Sequence, residues 1–324
     1  MLVTAVGGDL GQSIIKCLRD SWYAPIITGI DMNGYAGGRS DVDTFYKAPG
    51  VRNEIEYTQF INGLIEKEGI NFIFPMSEVE IDFFNRNRNK GLFPSEVNVV
   101  INDSFIIDTF IDKYKTIEFF KDNGLAFPKT FLWKEGEKVD KFDTFDTFPV
   151  ILKRRKGSGS QGLFIIHDKE EMEFYLKRYP DSILQEYIPG DDNEYTSGIF
   201  SDGTVSHIIT FKRILSPGGY SQQVELVTDE NVNELPKQIA NILASKYNFK
   251  GSLNVQYRFT ERGGIPFEIN PRFSSTVYFR HLFQFRDVEW VLNMMEGKPV
   301  EYIPSMKRGV GVRKLNEVLF EHED

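Results

Sequence analysis

The sequence predicts two architectures in series: a doubly wound α/β domain, then a strand-rich α+β region. Strand-like and helix-like apolar patterns alternate from residue 2 to about residue 101, which calls for parallel strands joined by crossover helices. After one further helix the pattern changes to closely spaced strands separated by a few helices. At 324 residues the chain is too long for one typical core and suits two or three packed subdomains.

The elements follow in order. LVTAV (2–6) is a short apolar run that ends in Gly7-Gly8, and Gly11 to Asp20 carries apolar residues at helical spacing. PIITGID (25–31) is a second strand. The helix-like YTQFINGLIEKEG (57–69) leads into NFIFPM (71–76), and EVEIDFFNRNRN (78–89) into VNVVI (97–101). The spacing then predicts one helix from about Ser104, its cap, to Asn123, with Gly124 as its stop. Beyond it, FPVILKRR (148–155) and GLFIIH (162–167) flank KGSGSQG, and a polar helix (169–179) leads to SILQEYIPG (182–190). EYTSGIF (194–200), TVSHIITFKR (204–213) and YSQQVELV (220–227) read as strands, followed by a helix at about 234–248. SLNVQYRFT (252–260) and IPFEINPR (265–272) are two more strands, and short helices and one late strand complete the chain. KVDKFDTFDTF (138–148) is the segment closest to an exposed connector.

Bulk properties exclude several classes. A net charge of −9 argues against a general nucleic-acid or anionic-membrane surface. No apolar run approaches the roughly 20 residues needed to cross a bilayer, and the first residues read as a strand rather than a signal peptide. Cys17 is the only cysteine, so no internal disulfide can form, and a reducing cytoplasm is the expected location. Four histidines and one cysteine show no zinc spacing, and there is no Ser-His-Asp arrangement or cysteine-nucleophile signature.

Three segments carry chemistry. In FEINPR (267–272), Glu268 and Asn270 stand two apart and share one face of a strand, with Arg272 continuing it and Gln256 on the strand before. Carboxylate and amide oxygens suit a hard cation that keeps phosphate oxygens as further ligands. Alone, the segment reads equally as a solvated edge strand. KRRKGSGSQG (153–162) places a basic Gly/Ser cluster between two strands, where backbone N–H groups can approach phosphates. It is not a Walker A loop, and such clusters are more commonly hairpin tips. Lys153, at the end of an apolar run, would be partly buried and would want an anionic partner. In QEYIPGDDNEY (185–195), a strand exiting into a Pro-Gly turn leaves backbone groups near Glu186 to Ile188 that could pair with an adenine edge. An acidic surface turn is the alternative.

The glycine-rich start VGGDLGQS (6–13) does not meet the G-x-G-x-x-G order and reads better as a tight strand-to-helix turn. Ser77, Glu78 and Glu80 directly follow the strand NFIFPM, at the end of a parallel strand where ligands usually bind; helix capping by Ser77 competes with that reading.

Taken in this order, with Asp112-Lys113 upstream, the segments resemble the ATP-grasp superfamily, in particular its members related to the carbamoyl phosphate synthase large subunit. The likeness covers almost the whole chain. It implies a pre-ATP-grasp α/β domain at 1–106, an ATP-grasp lid subdomain at 107–188 and a catalytic subdomain at 189–324. It implies that Lys113 reaches the phosphates, that Lys153 contacts the adenine edge and α-phosphate, and that Gly157, Ser158, Gly159, Ser160 and Gly162 form a mobile loop over the triphosphate. Glu186, Tyr187 and Ile188 match the hinge that reads adenine, and Glu194 the ribose-binding glutamate. Gln256, Glu268 and Asn270 match metal ligands, Glu268 bridging two ions, and Arg272 steadies the transferring phosphate. Lys212 and Arg213 fall where the family faces the γ-phosphate and acceptor; Lys212 joins Arg272 and Lys113 as a catalytic candidate. Arg280 and His281 could line the acceptor pocket, although packing suits His281 better. One departure is the neutral Gln256 where many members are acidic, a feature shared with carbamoyl phosphate synthase-like members.

The expected activity is therefore an ADP-forming ligation of a carboxylate to an amine or thiol through an acyl phosphate. ATP and Mg²⁺ are the expected cofactors, with Mn²⁺ as a substitute. Expected partners are small-molecule carboxylate and amine substrates, with no nucleic acid or membrane; a homodimer is common among relatives. Phosphorylation of bicarbonate or carbamate, a non-catalytic nucleotide-binding role and, most weakly, a dinucleotide oxidoreductase are the competing readings.

Overall fold

The computed structural model describes residues 1–134, 145, 147–157, 162–190, 193–302, 308–314 and 316–320. The N-terminal sheet contains β1 (Leu2–Val3), β2 (Thr28–Asp31), β3 (Thr44–Lys47), β4 (Phe72–Phe74) and β5 (Asn98–Val99), in the order β3-β2-β1-β4-β5. Every pairing is parallel, as the strand–helix alternation requires. Side chains of successive strand residues point to opposite faces, so Leu2 and Ile73 pack with Ile61 and Ile65 of α2 (Glu54–Glu68) and Phe83 of α3 (Glu78–Asn87). Val3, Phe72 and Phe74 instead meet Ile14 and Leu18 of α1 (Asp9–Arg19). Gly11 is required where α1 leaves β1: a Cβ there would lie 2.5 Å from the Ala5 carbonyl oxygen. The glycine-rich turn is thus a packing device, and Asp31 is held by the backbone N–H groups of Gly7 and Asn33, each at 2.8 Å.

The single helix expected from Ser104 to Asn123 is two: α4 (Ser104–Phe110) and α5 (Lys113–Asp122). Asp112 causes the break. Its buried carboxylate caps α5, accepting from the backbone of Tyr114 at 3.0 Å and Lys115 at 3.3 Å, and it also binds Arg155 at 2.8 Å. Ser104 is the first helical residue, and Asp103 takes the cap position without a side-chain capping bond.

A four-stranded antiparallel sheet follows: β6 (Thr130–Trp133), β7 (Val150–Arg154), β8 (Leu163–Ile166) and β9 (Ser182–Glu186), ordered β6-β9-β7-β8. Met172 and Leu176 of α6 (Lys169–Arg178) cover one face, against Val150, Leu152 and Leu184. The connector read at 138–148 falls largely outside the described residues, as do Ser158, Gly159 and Ser160.

The third sheet is the scaffold of the molecule. It runs β14-β13-β10-β11-β12-β15 and is antiparallel throughout. Its strands are β10 (Glu194–Asp202), β11 (Ser206–Leu215), β12 (Ser221–Leu226), β13 (Lys250–Thr260), β14 (Gly263–Asn270) and β15 (Val310–Val312). One face carries α7 (Glu230–Tyr247), whose Val232, Leu235 and Ile239 meet Val255, Tyr257 and Ile269. Pro236 lies inside α7 and cannot donate to the carbonyl of Val232; the Tyr257 hydroxyl donates to that carbonyl instead, at 2.9 Å. The opposite face carries Phe200, Ile209 and Phe211 into the same core as α1, α8 (Val277–Leu282) and Trp290 of α9 (Asp287–Met295).

Candidate active site

Strand alternation assembles the site. On β13, Leu253, Val255 and Tyr257 face α7, so Asn254, Gln256 and Arg258 face the other way. The register places Gln256 opposite Glu268 and Asn254 opposite Asn270. Ile269, between the two polar residues of β14, enters the α7 core. Gln256, Glu268 and Asn270 therefore stand together on one sheet face, as their spacing predicts.

They line a cleft of about 600 Å³ that also receives Lys113, Lys153, Gly157, Gly162, Glu186, Tyr187, Ile188, Glu194 and Arg272. Of the sequence candidates within the described residues, Lys212, Glu80, Arg280 and His281 are missing from its walls. Lys212 pairs with Tyr195 in the β10–β11 register and shares the α7 face with it; its neighbour Arg213 lines the cleft. The one-residue shift follows from the period of two, and Arg213 replaces Lys212 at this wall. Arg280 and His281 are buried away from the cleft, Arg280 in an ion pair with Asp287 at 2.9 Å.

Lys153 is 9% exposed, near the end of β7, and its Nζ donates to Gln185 Oε1 at 2.8 Å, a diagonal neighbour on β9. The ammonium also sits 5.2 Å from the centre of the Phe267 ring. Burial pulls its pKa down to about 8, partly opposed by the nearby Glu268 carboxylate. Lys113, the first residue of α5, donates to the Gly157 carbonyl, which ties the start of the Gly/Ser loop to the start of that helix. At the far end of this loop, Gly162 has φ of 76°, and a Cβ would meet Arg154 Nε at 2.8 Å.

Glu194 is buried and both its oxygens are engaged. Oε1 accepts from Arg213 at 2.6 Å and Oε2 from Arg258 at 3.1 Å. Arg258 also donates to the carbonyl of Ile188 and lies 5.7 Å from the Tyr187 ring centre. The hinge segment is thus tied to the third sheet through one guanidinium. The Glu186 carboxylate is held by protein partners: it accepts from the Lys129 backbone at 2.9 Å and from Arg262 at 2.7 Å. Arg258 and Gln185 were not singled out from the sequence. The period-two face that yields Gln256 reaches Arg258 two residues later, so the signal was present.

The donor set fits a hard divalent ion. Glu268 supplies one carboxylate and Asn270 an amide oxygen. Gln256 Oε1 already accepts from Arg213 at 2.8 Å and keeps one lone pair for a metal. Among the described residues no cluster of three His, Cys, Asp or Glu side chains could hold a metal by itself. Phosphate oxygens would have to complete the coordination, the usual habit of Mg²⁺.

Comparison with known proteins places this geometry. The ATP-grasp domain profile matches residues 110–276. The large chain of carbamoyl phosphate synthase from Clostridium beijerinckii is 28% identical over 53% of this chain and 17% of its own length. D-alanine–D-alanine ligase from Petrotoga mobilis is 30% identical over 52% of this chain and 56% of its own. The chain thus spans between about a sixth and about half the length of these curated relatives. Among solved structures, N5-carboxyaminoimidazole synthetase from Staphylococcus aureus complexed with ADP superposes with a TM-score of 0.74 at 17% identity, covering 97% of this chain and 82% of that one. The biotin carboxylase domain of 2-oxoglutarate carboxylase from Hydrogenobacter thermophilus gives a TM-score of 0.73 at 16% identity, over 94% and 71%. At such identities these structures speak for the fold. With its profile match covering more than half the chain, this chain belongs to the ATP-grasp family.

Proposed function

We propose that the chain is an ADP-forming ligase that activates a carboxylate as an acyl phosphate and transfers the acyl group to an amine. The supporting observation is the convergence of Lys113, Lys153, Glu268, Asn270 and Arg272 on one cleft with the hinge segment 186–188. The reading divides the chain into an N-terminal domain at 1–106, a lid at 107–188 and a catalytic subdomain at 189–324.

A carboxylate resists attack because its charge repels nucleophiles and its oxygen leaves poorly. Phosphorylation removes both obstacles. The carboxylate oxygen bonds to the γ-phosphorus of ATP while the bond to the β,γ-bridging oxygen breaks and ADP leaves. An amine then bonds to the acyl carbon, the carbon–oxygen bond to phosphate breaks, and the amine gives up a proton. Lys113, Lys153 and Arg272 supply fixed positive charge for the phosphates, so the protein positions and stabilises without a covalent protein intermediate. Arg258 orients the hinge and Glu194, which has lone pairs left for a ribose hydroxyl. Glu268, Asn270 and Gln256 would hold Mg²⁺ or Mn²⁺, which when bound neutralises charge on the phosphates.

Among the described residues no helix is long and apolar enough to cross a membrane, and a cytoplasmic location belongs to the proposal. So does a homodimer, checked by light scattering.

The test is Mg²⁺-dependent ATP consumption with pooled amino acids and small carboxylic acids, with the nucleotide product identified. ADP and phosphate appearing only with a particular pool support the ligase. AMP and pyrophosphate, or no nucleotide binding, refute it.

A further inference from the structure

The C-terminal segment touches two parts of the molecule. β15 pairs along β12 at the edge of the third sheet, and a Cβ at Gly311 would meet Phe279 at 2.7 Å, so the strand lies tight against α8. Further on, Phe320 reaches the N-terminal domain, its ring 5.9 Å from that of Tyr35 and 5.1 Å from the Arg39 guanidinium. Between these contacts stands Arg313, directly after β15 and beyond residues 110–276 that the domain profile matches. Its backbone N–H donates to the Gln222 carbonyl at 2.9 Å, next to the β12–β15 ladder.

The Arg313 side chain has a different set of partners. Nε donates to the Ser221 carbonyl at 3.2 Å, Nη1 to the Ser13 hydroxyl at 3.4 Å and Nη2 to the Ser275 carbonyl. The guanidinium also lies 5.7 Å from the centre of the Tyr220 ring. One planar fork thus joins α1, the β11–β12 turn and the segment after β14, three pieces far apart in sequence. The cleft is lined by Gly218, Gly219 and Tyr220 of that turn, by Ser275 and by Asp9 at the start of α1; Arg313 stands behind these walls. The turn needs outside support. Two adjacent glycines leave its backbone loose, and it carries two internal hydrogen bonds, Gly219 N–H to the Ser216 carbonyl and Ser216 N–H to the Tyr220 carbonyl, each at 2.9 Å. A guanidinium drawn behind a wall is a costly way to gain stability alone. Burial lowers the Arg313 pKa, the nearby Asp9 carboxylate opposes this from a distance, and all three side-chain acceptors are neutral.

We propose that Arg313 is a positioning residue: its fork holds the turn 216–221 and the segment at 275 against α1, and so fixes the cleft walls that receive the carboxylate to be activated. None of its contacts falls on the four-stranded sheet that carries Lys153, on residues 186–188, or on Gln256, Glu268 and Asn270, so nucleotide and metal are held independently of it. The proposal rests on the ligase reading and adds to that site a residue from outside the matched profile.

The test compares the wild-type chain with Arg313→Ala and Arg313→Lys in Mg²⁺-dependent ADP release, the probe being whichever amino acid or small carboxylic acid of the pools supports turnover in the wild type. Arg313→Ala should raise the KM for that acid about tenfold or more and leave kcat and the KM for ATP within about twofold, because a displaced wall weakens ground and transition state alike. Arg313→Lys should be impaired to a similar degree, since an ammonium keeps the charge but cannot reach three acceptors in one plane. Calorimetric titration with Mg²⁺ and a non-hydrolysable ATP analogue identifies the folded variants, which should bind both as the wild type does. The proposal is overturned if the variants keep the wild-type KM for the acid, or if the KM for ATP rises by the same factor. It is equally overturned if lysine restores the KM in full, which would assign the effect to charge alone. A wild-type chain that turns over with no pool sinks the ligase reading, and the proposal falls with it; an active wild type with unaltered variants sinks the proposal alone.

Discussion

At the scale of single residues, Lys153 has the most distinctive chemistry. Burial lowers its pKa from 10.5 to about 8, so the free protein carries a half-charged ammonium near pH 8. The unfolded chain holds this proton up to its ordinary pKa, so stability contributed by this group rises with pH between about 8 and 10.5. A bound triphosphate adds negative charge beside the ammonium and raises its pKa again. Nucleotide binding should therefore take up about half a proton at pH 8 and progressively less toward pH 7. Titration calorimetry in buffers of different ionisation enthalpy reads this directly, and Lys153→Met should abolish the uptake. Proton release, or none, would place the nucleotide away from Lys153. Glu268 offers the complementary case. It lines the cleft, is only partly buried and has no ion pair within the described residues, so Glu268→Ala should leave thermal stability within about 0.5 kcal/mol. Turnover should fall more than about a hundredfold, because several kcal/mol of transition-state charge stabilisation go with the metal. Near-normal turnover in the folded variant would refute the metal assignment. Both residues were readable from sequence. A lysine that ends an apolar strand is drawn into the interior and needs an anion there, and a polar pair flanking an apolar residue shares one strand face. Arg213 was singled out only beside Lys212, because a period of two says which neighbours share a face but not which face meets the cleft.

At the scale of elements, the division of the helix after Phe110 is the instructive miss. Apolar spacing runs without interruption through Ile106, Ile107, Phe110, Ile111 and Ile117, so periodicity alone shows one helix. The break comes from a polar residue with three obligations: Asp112 caps α5, is nearly fully buried and holds Arg155, just after β7. Two short strands, β3 and β6, were also missed. Each lies at the edge of its sheet and pairs on one side only, so the demand for an apolar run is weak. Asp112 thus links a helix start, a lid strand and the position of Lys113, which donates to Gly157. Asp112→Ala removes the cap, worth about 0.5–2 kcal/mol, and leaves Arg155 with only its longer, exposed contact to Asp181. Urea denaturation should show a loss of about 2 kcal/mol with an unchanged slope. The KM for ATP should rise while kcat holds, because a misplaced Lys113 weakens nucleotide binding at ground and transition state alike. An unaltered KM would confine Asp112 to stability.

At the scale of the whole molecule, the cleft belongs to no single sheet. Glu78 comes from the start of α3, Lys153 and residues 186–188 from the four-stranded sheet and its exit, and Gln256, Glu268 and Asn270 from the third sheet. The order of these pieces along the chain was legible because each carries a local signature. The acceptor end was less so: Ser77, Glu78 and Glu80 stood out only as residues after a parallel strand, and nothing local separates Glu80, which packs against Thr4 and Tyr57, from Glu78, which lines the cleft. A ligand that spans all three bodies binds only when they are folded and docked, so binding free energy becomes stability of the assembly. At a concentration about a hundred times its dissociation constant, Mg·ATP analogue should stabilise the native state by about 2.7 kcal/mol. For a chain of this length that corresponds to a rise of about 5 °C in the unfolding midpoint, with the three bodies melting together. Glu268→Ala should respond equally to nucleotide with and without Mg²⁺, since the metal then has no carboxylate to join it to the third sheet. A shift in the wild type that ignores Mg²⁺ would mean that nucleotide binds through the lid alone, and the metal face of β13 and β14 would have no part in the cleft.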